Sequence, residues 1–106
     1  MLRRPKLEST VERNRAAPYT FEIPSKEERE SVQPGNYAKI IVLPKNNPGE
    51  RIWVKVISKL SNGRYLGSFA NDPIFFKAKY EDEVIFREYN IAAIDIPEKN
   101  TAHIVS

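Results

Sequence analysis

The sequence predicts an α+β domain: a small, strongly bent antiparallel sheet or partly open barrel of five to six strands, with one short capping helix. Three observations predict it. Short runs rich in β-branched and aromatic residues recur at 18–23, 37–43, 50–58, 64–70, 83–89 and 91–96. Turn signals separate them at close spacing, the strongest being Asn62-Gly63, whose two residues both tolerate positive φ. One helix start is written clearly: Ser25-Lys26-Glu27-Glu28 has capping-box spacing, and Pro34-Gly35 stops the helix.

In chain order, residues 1–17 form a basic N-terminal arm, weakly helical or disordered, in which only Leu7 and Val11 share a helical face. Residues 18–23, PYTFEI, alternate Tyr19, Phe21 and Ile23 with polar neighbours and read as a strand. The capped helix spans about 25–33, with Val32 as its main apolar contact. Residues 37–43 and 50–58 are strands, the second with Ile52, Val54 and Val56 on one face and Trp53, Lys55 and Ile57 on the other. If the first set faces the core, Trp53 lies outside and needs covering by the helix, the arm or a partner. Residues 64–70 return from the hairpin. Asn71-Asp72-Pro73 then breaks the strand, because proline removes a ladder donor and fixes φ. A turn at Tyr80–Asp82 leads into 83–89, and 91–96 completes the domain, taken as 18–97. Residues 98–106 read as a tail, in which His103-Ile104-Val105 could add an edge strand.

A chain of 106 residues can bury one modest core. It has no cysteine, so it offers neither a disulfide nor a thiolate. No apolar run approaches the ~20 residues that span a bilayer, and the basic start is not followed by an apolar stretch as in a secretory signal; a cytoplasmic location is expected. The net charge of +3 belongs to the arm, where Arg3, Arg4, Lys6, Arg13 and Arg15 face only Glu8 and Glu12; the remainder balances to zero. Such an arm can touch nucleic acid or an acidic partner.

Catalytic chemistry finds little purchase. The one histidine, His103, stands in the tail with no carboxylate or cysteine nearby. The acidic run Glu81-Asp82-Glu83 lacks the spaced ligands of a calcium loop and reads as a solvated turn. No phosphate-binding glycine loop or dinucleotide fingerprint is present. The expectation is a non-enzymatic protein with no cofactor or metal.

Binding has better candidates. Asn71 and Asp72 stand at a strand break, where backbone groups lose their ladder partners, with Phe75 and Phe76 close by. Trp53 beside Lys55 is a candidate hot spot, and Tyr65 follows on the next strand. Trp53, Lys55, Arg64 and Tyr65, with the arm, are also the candidates for a small barrel that binds single-stranded nucleic acid, a reading against which the charge-neutral remainder of the chain weighs.

The stretches "PSKEERESVQPGNYAKIIV", "GERIWVKVISKLSNGRYLGSFANDP" and "YEDEVIFREYNIAAIDI" together resemble a family of small bacterial domains of unknown function, some grouped with toxin-immunity proteins. The matching residues are Pro34-Gly35, Glu50 with Trp53-Val54, Gly67 with Asn71-Asp72-Pro73, and Asp82 with Val84. The resemblance covers about 18–96 and departs at Glu81, where the family usually has glycine, which either forgoes a positive-φ turn or shifts it to a neighbour. It implies a small α+β fold and a binding role, and brings no catalytic residues. The expected function is a binding protein that neutralises or sequesters a toxin, a host effector or a small nucleotide signal, phage- or mobile-element-encoded among other sources, acting alone or as a symmetric homodimer. Nucleic-acid binding, and an accessory subunit whose arm folds on its partner, are the alternatives.

Overall fold

The computed structural model describes residues 1–46, 48–74 and 76–97. Its elements are β1 (Leu2–Arg3), α1 (Thr10–Ala16), α2 (Lys26–Glu30), β2 (Tyr37–Val42), β3 (Glu50–Lys59), β4 (Arg64–Phe69), β5 (Glu83–Arg87) and β6 (Ile91–Asp95). A 3₁₀ turn, Ser61–Gly63, joins β3 to β4, and another, Glu88–Asn90, joins β5 to β6. The strands form one open sheet in the order β1-β5-β4-β3-β2-β6. The fold is α+β, as expected, but the sheet is mixed: β2 to β6 pair antiparallel, while β1 runs parallel to β5.

The connection from β5 to β6 dictates the bend. These strands stand four spacings apart in the sheet order, which is about 19 Å across a flat sheet. The chain crosses from Arg87 to Ile91 in four residue steps, a reach of at most ~14 Å. The sheet must therefore curl until its two ends approach. The hairpin at the other end of the meander works as its sequence says, with Asn62 at φ 62° and Gly63 at φ 70°.

Curling turns one face inward. Ile52, Val54 and Val56 of β3, Tyr65 and Phe69 of β4, and Val84 and Phe86 of β5 are buried there, each at 2% exposure or less. Alternation thus assigns β3 correctly, with Trp53, Lys55 and Ile57 outside. Tyr65 stacks on Phe86 with ring centroids 5.4 Å apart, an arrangement contributing about 0.5–1.5 kcal/mol beyond area burial.

Residues 1–17 reach across the opening between the sheet ends. Leu2 and Arg3 pair with β5, and four residues later Leu7 bridges to Val42 at the end of β2, where β6 has already stopped. Buried Thr10 donates its hydroxyl to the carbonyls of Tyr89 (3.0 Å) and Ile91 (2.6 Å). Asn90 returns an amide bond to the Glu8 carbonyl at 3.0 Å. Arg3 Nε lies 2.8 Å from the Asp82 carboxylate, Arg13 pairs with Glu8 and Arg15 with Glu12.

Three local expectations are corrected. Residues 18–23 form turns, not a strand: the amides of Thr20 and Phe21 bond the Ala17 carbonyl, and Asn14 holds the Phe21 carbonyl at 2.8 Å. The alternation there has no neighbouring strand to serve, and Tyr19 is 93% exposed. The capping box at Ser25 forms with both bonds in place, but the helix stops at Glu30, not 33. The Ser31 hydroxyl bonds back to the Glu27 carbonyl, and the chain leaves to plant Val32 in the core. The Glu81-Asp82-Glu83 turn is not simply solvated, since Asp82 is 6% exposed and ion-paired. The possible edge strand at His103–Val105 lies outside the described residues.

Candidate functional site

On the face of β2 and β3 away from the core, Ile41 is covered at 1% exposure, Tyr37, Lys39 and Trp53 are half-buried, and Arg51 and Lys55 are exposed. The strand register sets Ile41 opposite Arg51, Lys39 opposite Trp53 and Tyr37 opposite Lys55. Three successive outward pairs therefore each join a cation to an aliphatic or aromatic side chain. Lys39 Nζ stands 5.0 Å from the Trp53 ring centroid. At the Ile41 end, the Phe21 ring lies between the guanidiniums of Arg13 (4.4 Å) and Arg51 (5.5 Å). None of the ion pairs among the described residues uses Lys39, Arg51 or Lys55.

Two hollows adjoin this row. Tyr37, Trp53, Ala70, Asn71 and Asp95 line a shallow one of about 390 Å³. A smaller one of about 180 Å³ is lined by Tyr37, Lys55, Ser68, Phe69, Ala70, Tyr80 and Glu81. Tyr37 and Ala70 line both, so the two hollows adjoin.

The Asn-Asp-Pro triplet divides its work. The Ala70 amide bonds the Trp53 carbonyl at 2.9 Å, extending the β3–β4 ladder one residue past β4. Asn71 consequently emerges beside Trp53 and lines the larger hollow. Asp72 instead accepts the Tyr80 amide at 2.6 Å and closes the loop between them. The Ile74 amide bonds the Glu50 carboxylate at 2.6 Å, tying the same loop to the start of β3.

The other expected site residues are scattered. Lys55 is exposed at the smaller hollow. Tyr65 is 2% exposed, with its hydroxyl donating to the Arg29 carbonyl at 2.8 Å; its ring belongs to the core and cannot stack on a ligand beside Trp53. Burial pushes its phenol pKa up, reinforced by the charges of Glu30 and Glu88. Phe76 packs edge-on against Phe69, centroids 6.3 Å apart, and covers the core. Phe75 lies outside the described residues. Of the arm cations, Arg3, Arg13 and Arg15 are engaged by carboxylates, while Arg4 and Lys6 are exposed.

Tyr37, Lys39, Arg51 and Asp95 were not singled out by sequence reasoning. Alternation alone puts each on a strand face, but only the β2–β3 and β2–β6 registers bring them to Trp53. At the rim of the smaller hollow Glu81 adopts φ 71°. The positive-φ turn is thus neither forgone nor shifted to a neighbour but falls on Glu81 itself, and a glutamate bears its strain.

Below this rim Asp82 joins its own turn to the N-terminal arm. It accepts Arg3 Nε at 2.8 Å, the Lys79 amide at 3.1 Å and the Met1 amino group at 3.3 Å. The Arg3 bond, foremost, holds its carboxyl down at about 2. Among the described residues no group of three or more His, Cys, Asp or Glu side chains could hold a metal ion, and no helix is long and apolar enough to cross a membrane. Compared with protein-family models, curated proteins and solved structures, the chain matches none.

Proposed function

We propose that this chain is a non-enzymatic binding protein that neutralises or sequesters a partner seated on the outer face of its sheet, at the hollow between Tyr37, Trp53 and Asn71. The observation that carries it is the mounting of Trp53. Its ring lines an open hollow from β3, a strand hydrogen-bonded on both sides, while the next residues in either direction, Ile52 and Val54, are anchored in the core. A half-buried aromatic on so stiff a support loses little freedom when a ligand covers it. Asn71 adds a donor and an acceptor from a loop pinned by Asp72 and Glu50. The resemblance to immunity-type domains supports a blocking role, and a chain with one histidine and no cysteine has few routes to nucleophilic chemistry.

The contacts of residues 1–17 with their own chain favour this over an accessory subunit whose arm folds on another protein. The test is native mass spectrometry of freshly purified protein beside Trp53→Ala and Asn71→Ala. A ligand or partner carried by the wild type should be lost from both variants. Its undiminished retention by both would place binding elsewhere and overturn the proposal; Asn71 is exposed, so its variant should keep the fold.

A further inference from the structure

The outward row on β2 and β3 has a chemistry more specific than an adhesive patch. Cations and rings alternate across the strands, and successive outward pairs are two residues, about 6.7 Å, apart. That repeat is comparable to the spacing of nucleotides along an extended single strand. Resting on the binding role assigned to this face, we propose that it takes single-stranded nucleic acid, with bases against Trp53 and Tyr37 and phosphates along Lys39, Arg51 and Lys55.

Charge and ring surface both bear on the class of occupant. Arg51 and Lys55 are exposed, and neither they nor Lys39 has a carboxylate partner within the described chain. Their charge is therefore available to a polyanion. Within the hollow Asn71 offers an amide, a donor and an acceptor together. An amide can pair with the donor and acceptor edge of any base, thymine and uracil included, so bases point into the hollow and the backbone lies over the cations. A duplex hides its base faces in its own stack and could use only the cations. A run of acidic side chains alone would likewise use only the cations and leave Tyr37 and Trp53 without stacking partners.

Trp53 is the only tryptophan, so its fluorescence reports the site directly. The full chain is titrated with ~15-nucleotide oligo-dT and oligo-U, a duplex of equal length and polyglutamate, at several salt concentrations from about 50 mM upward. Single strands should quench Trp53 and bind with a log–log salt slope of about −2, for three cations at about −0.7 each. The double variant Arg51→Gln/Lys55→Gln, at two exposed positions, should reduce that slope to about −0.7. Trp53→Ala, followed by anisotropy of labelled oligomer, should weaken binding about 10-fold or more, while Arg4→Gln/Lys6→Gln should leave it unchanged.

No single-strand binding up to about 100 µM at low salt overturns the inference. So does binding that ignores Trp53→Ala and the double variant, or that depends on Arg4 and Lys6 alone. Equal or tighter binding of polyglutamate assigns the face to an acidic protein, and tighter binding of the duplex removes the stacking role; either also overturns it. If oligonucleotides fail while a co-purified species is still lost from Trp53→Ala and Asn71→Ala, the binding function stands and only its nucleic-acid form falls.

Discussion

Gly67 is where the sheet tolerates least. A Cβ built there would meet the Lys55 carbonyl oxygen at 3.1 Å, Phe86 Cε1 at 3.1 Å and Val54 Cβ at 3.3 Å. One of these atoms is backbone and another is a Cβ fixed to it, both on β3, so neither can yield without moving the strand. Gly67→Ala therefore overpacks the core, at a cost of about 1–3 kcal/mol. The stiffer unfolded chain returns about 0.4–1 kcal/mol, leaving a net loss of about 1–2 kcal/mol. At about 4–8 °C per kcal/mol for a domain of this size, Tm should fall by roughly 5–15 °C. The assay is a thermal melt followed by circular dichroism, with a urea titration to check that the m-value is unchanged. Gly49→Ala is the control. There the close atoms are Ile41 Cγ2 at 3.0 Å and Leu43 Cδ2 at 3.4 Å, both side-chain atoms, and Gly49 precedes β3 rather than lying within a ladder, so the loss should be smaller than that of Gly67→Ala. If Gly67→Ala melts with the wild type, or if the two variants fall equally, the close approach of β4 to β3 is not what makes glycine necessary. The variant also reaches the site at a distance: forcing β4 from β3 loosens Ala70 and Asn71 beside Trp53, so it should weaken ligand binding without touching the ligand.

Glu81→Gly should stabilise the protein by about 0.5–1 kcal/mol, because relief of the left-handed backbone exceeds the added freedom of the unfolded chain; a lower Tm would contradict it. Asp82 should shape the acid limb. Its folded carboxyl, at about 2, lies below the ordinary value of 3.8, so its contribution is present above pH 4 and lost as pH falls toward 2. Urea midpoints of Asp82→Asn should be lower than wild type at pH 7 and converge with it near pH 2; a constant gap would show that the ionised form is not what matters. Tyr65→Phe should cost about 1 kcal/mol at neutral pH through the lost bond to the Arg29 carbonyl. Because burial raises the tyrosine's pKa, the wild type should lose stability as pH rises past 10, where the unfolded chain ionises first. The phenylalanine variant should lack that component, and parallel declines would refute it.

How far each feature was legible follows from the range of the forces that fix it. The Ser25–Glu28 capping box, the Asn62-Gly63 hairpin and the inward set Ile52, Val54 and Val56 are written within a few residues of chain, and all form as written. They depend on backbone torsions, local hydrogen bonds and the two-residue period of a strand. Asn71 at a hollow was also foreseeable, since a strand break leaves its next side chain at a rim. The alternation in 18–23 misled because period alone cannot supply a neighbouring strand. It is answered there by Ala17, Asn14 and the two arginines around Phe21.

By itself, then, the sequence determined the class of fold, the faces of its central strands and the place where one of them breaks. Tertiary structure alone decided which outward side chains meet: Lys39 beside Trp53, Tyr37 between Lys55 and Asp95, and Asn71 at the same hollow as Trp53. It also set Tyr65 into the core, joined Arg3 to Asp82 and carried residues 1–17 across the opening of the sheet. Those meetings depend on register between strands and on a three-residue turn too short to let the sheet lie flat. Both are constraints between distant parts of the chain, and neither leaves a mark on any single stretch of it.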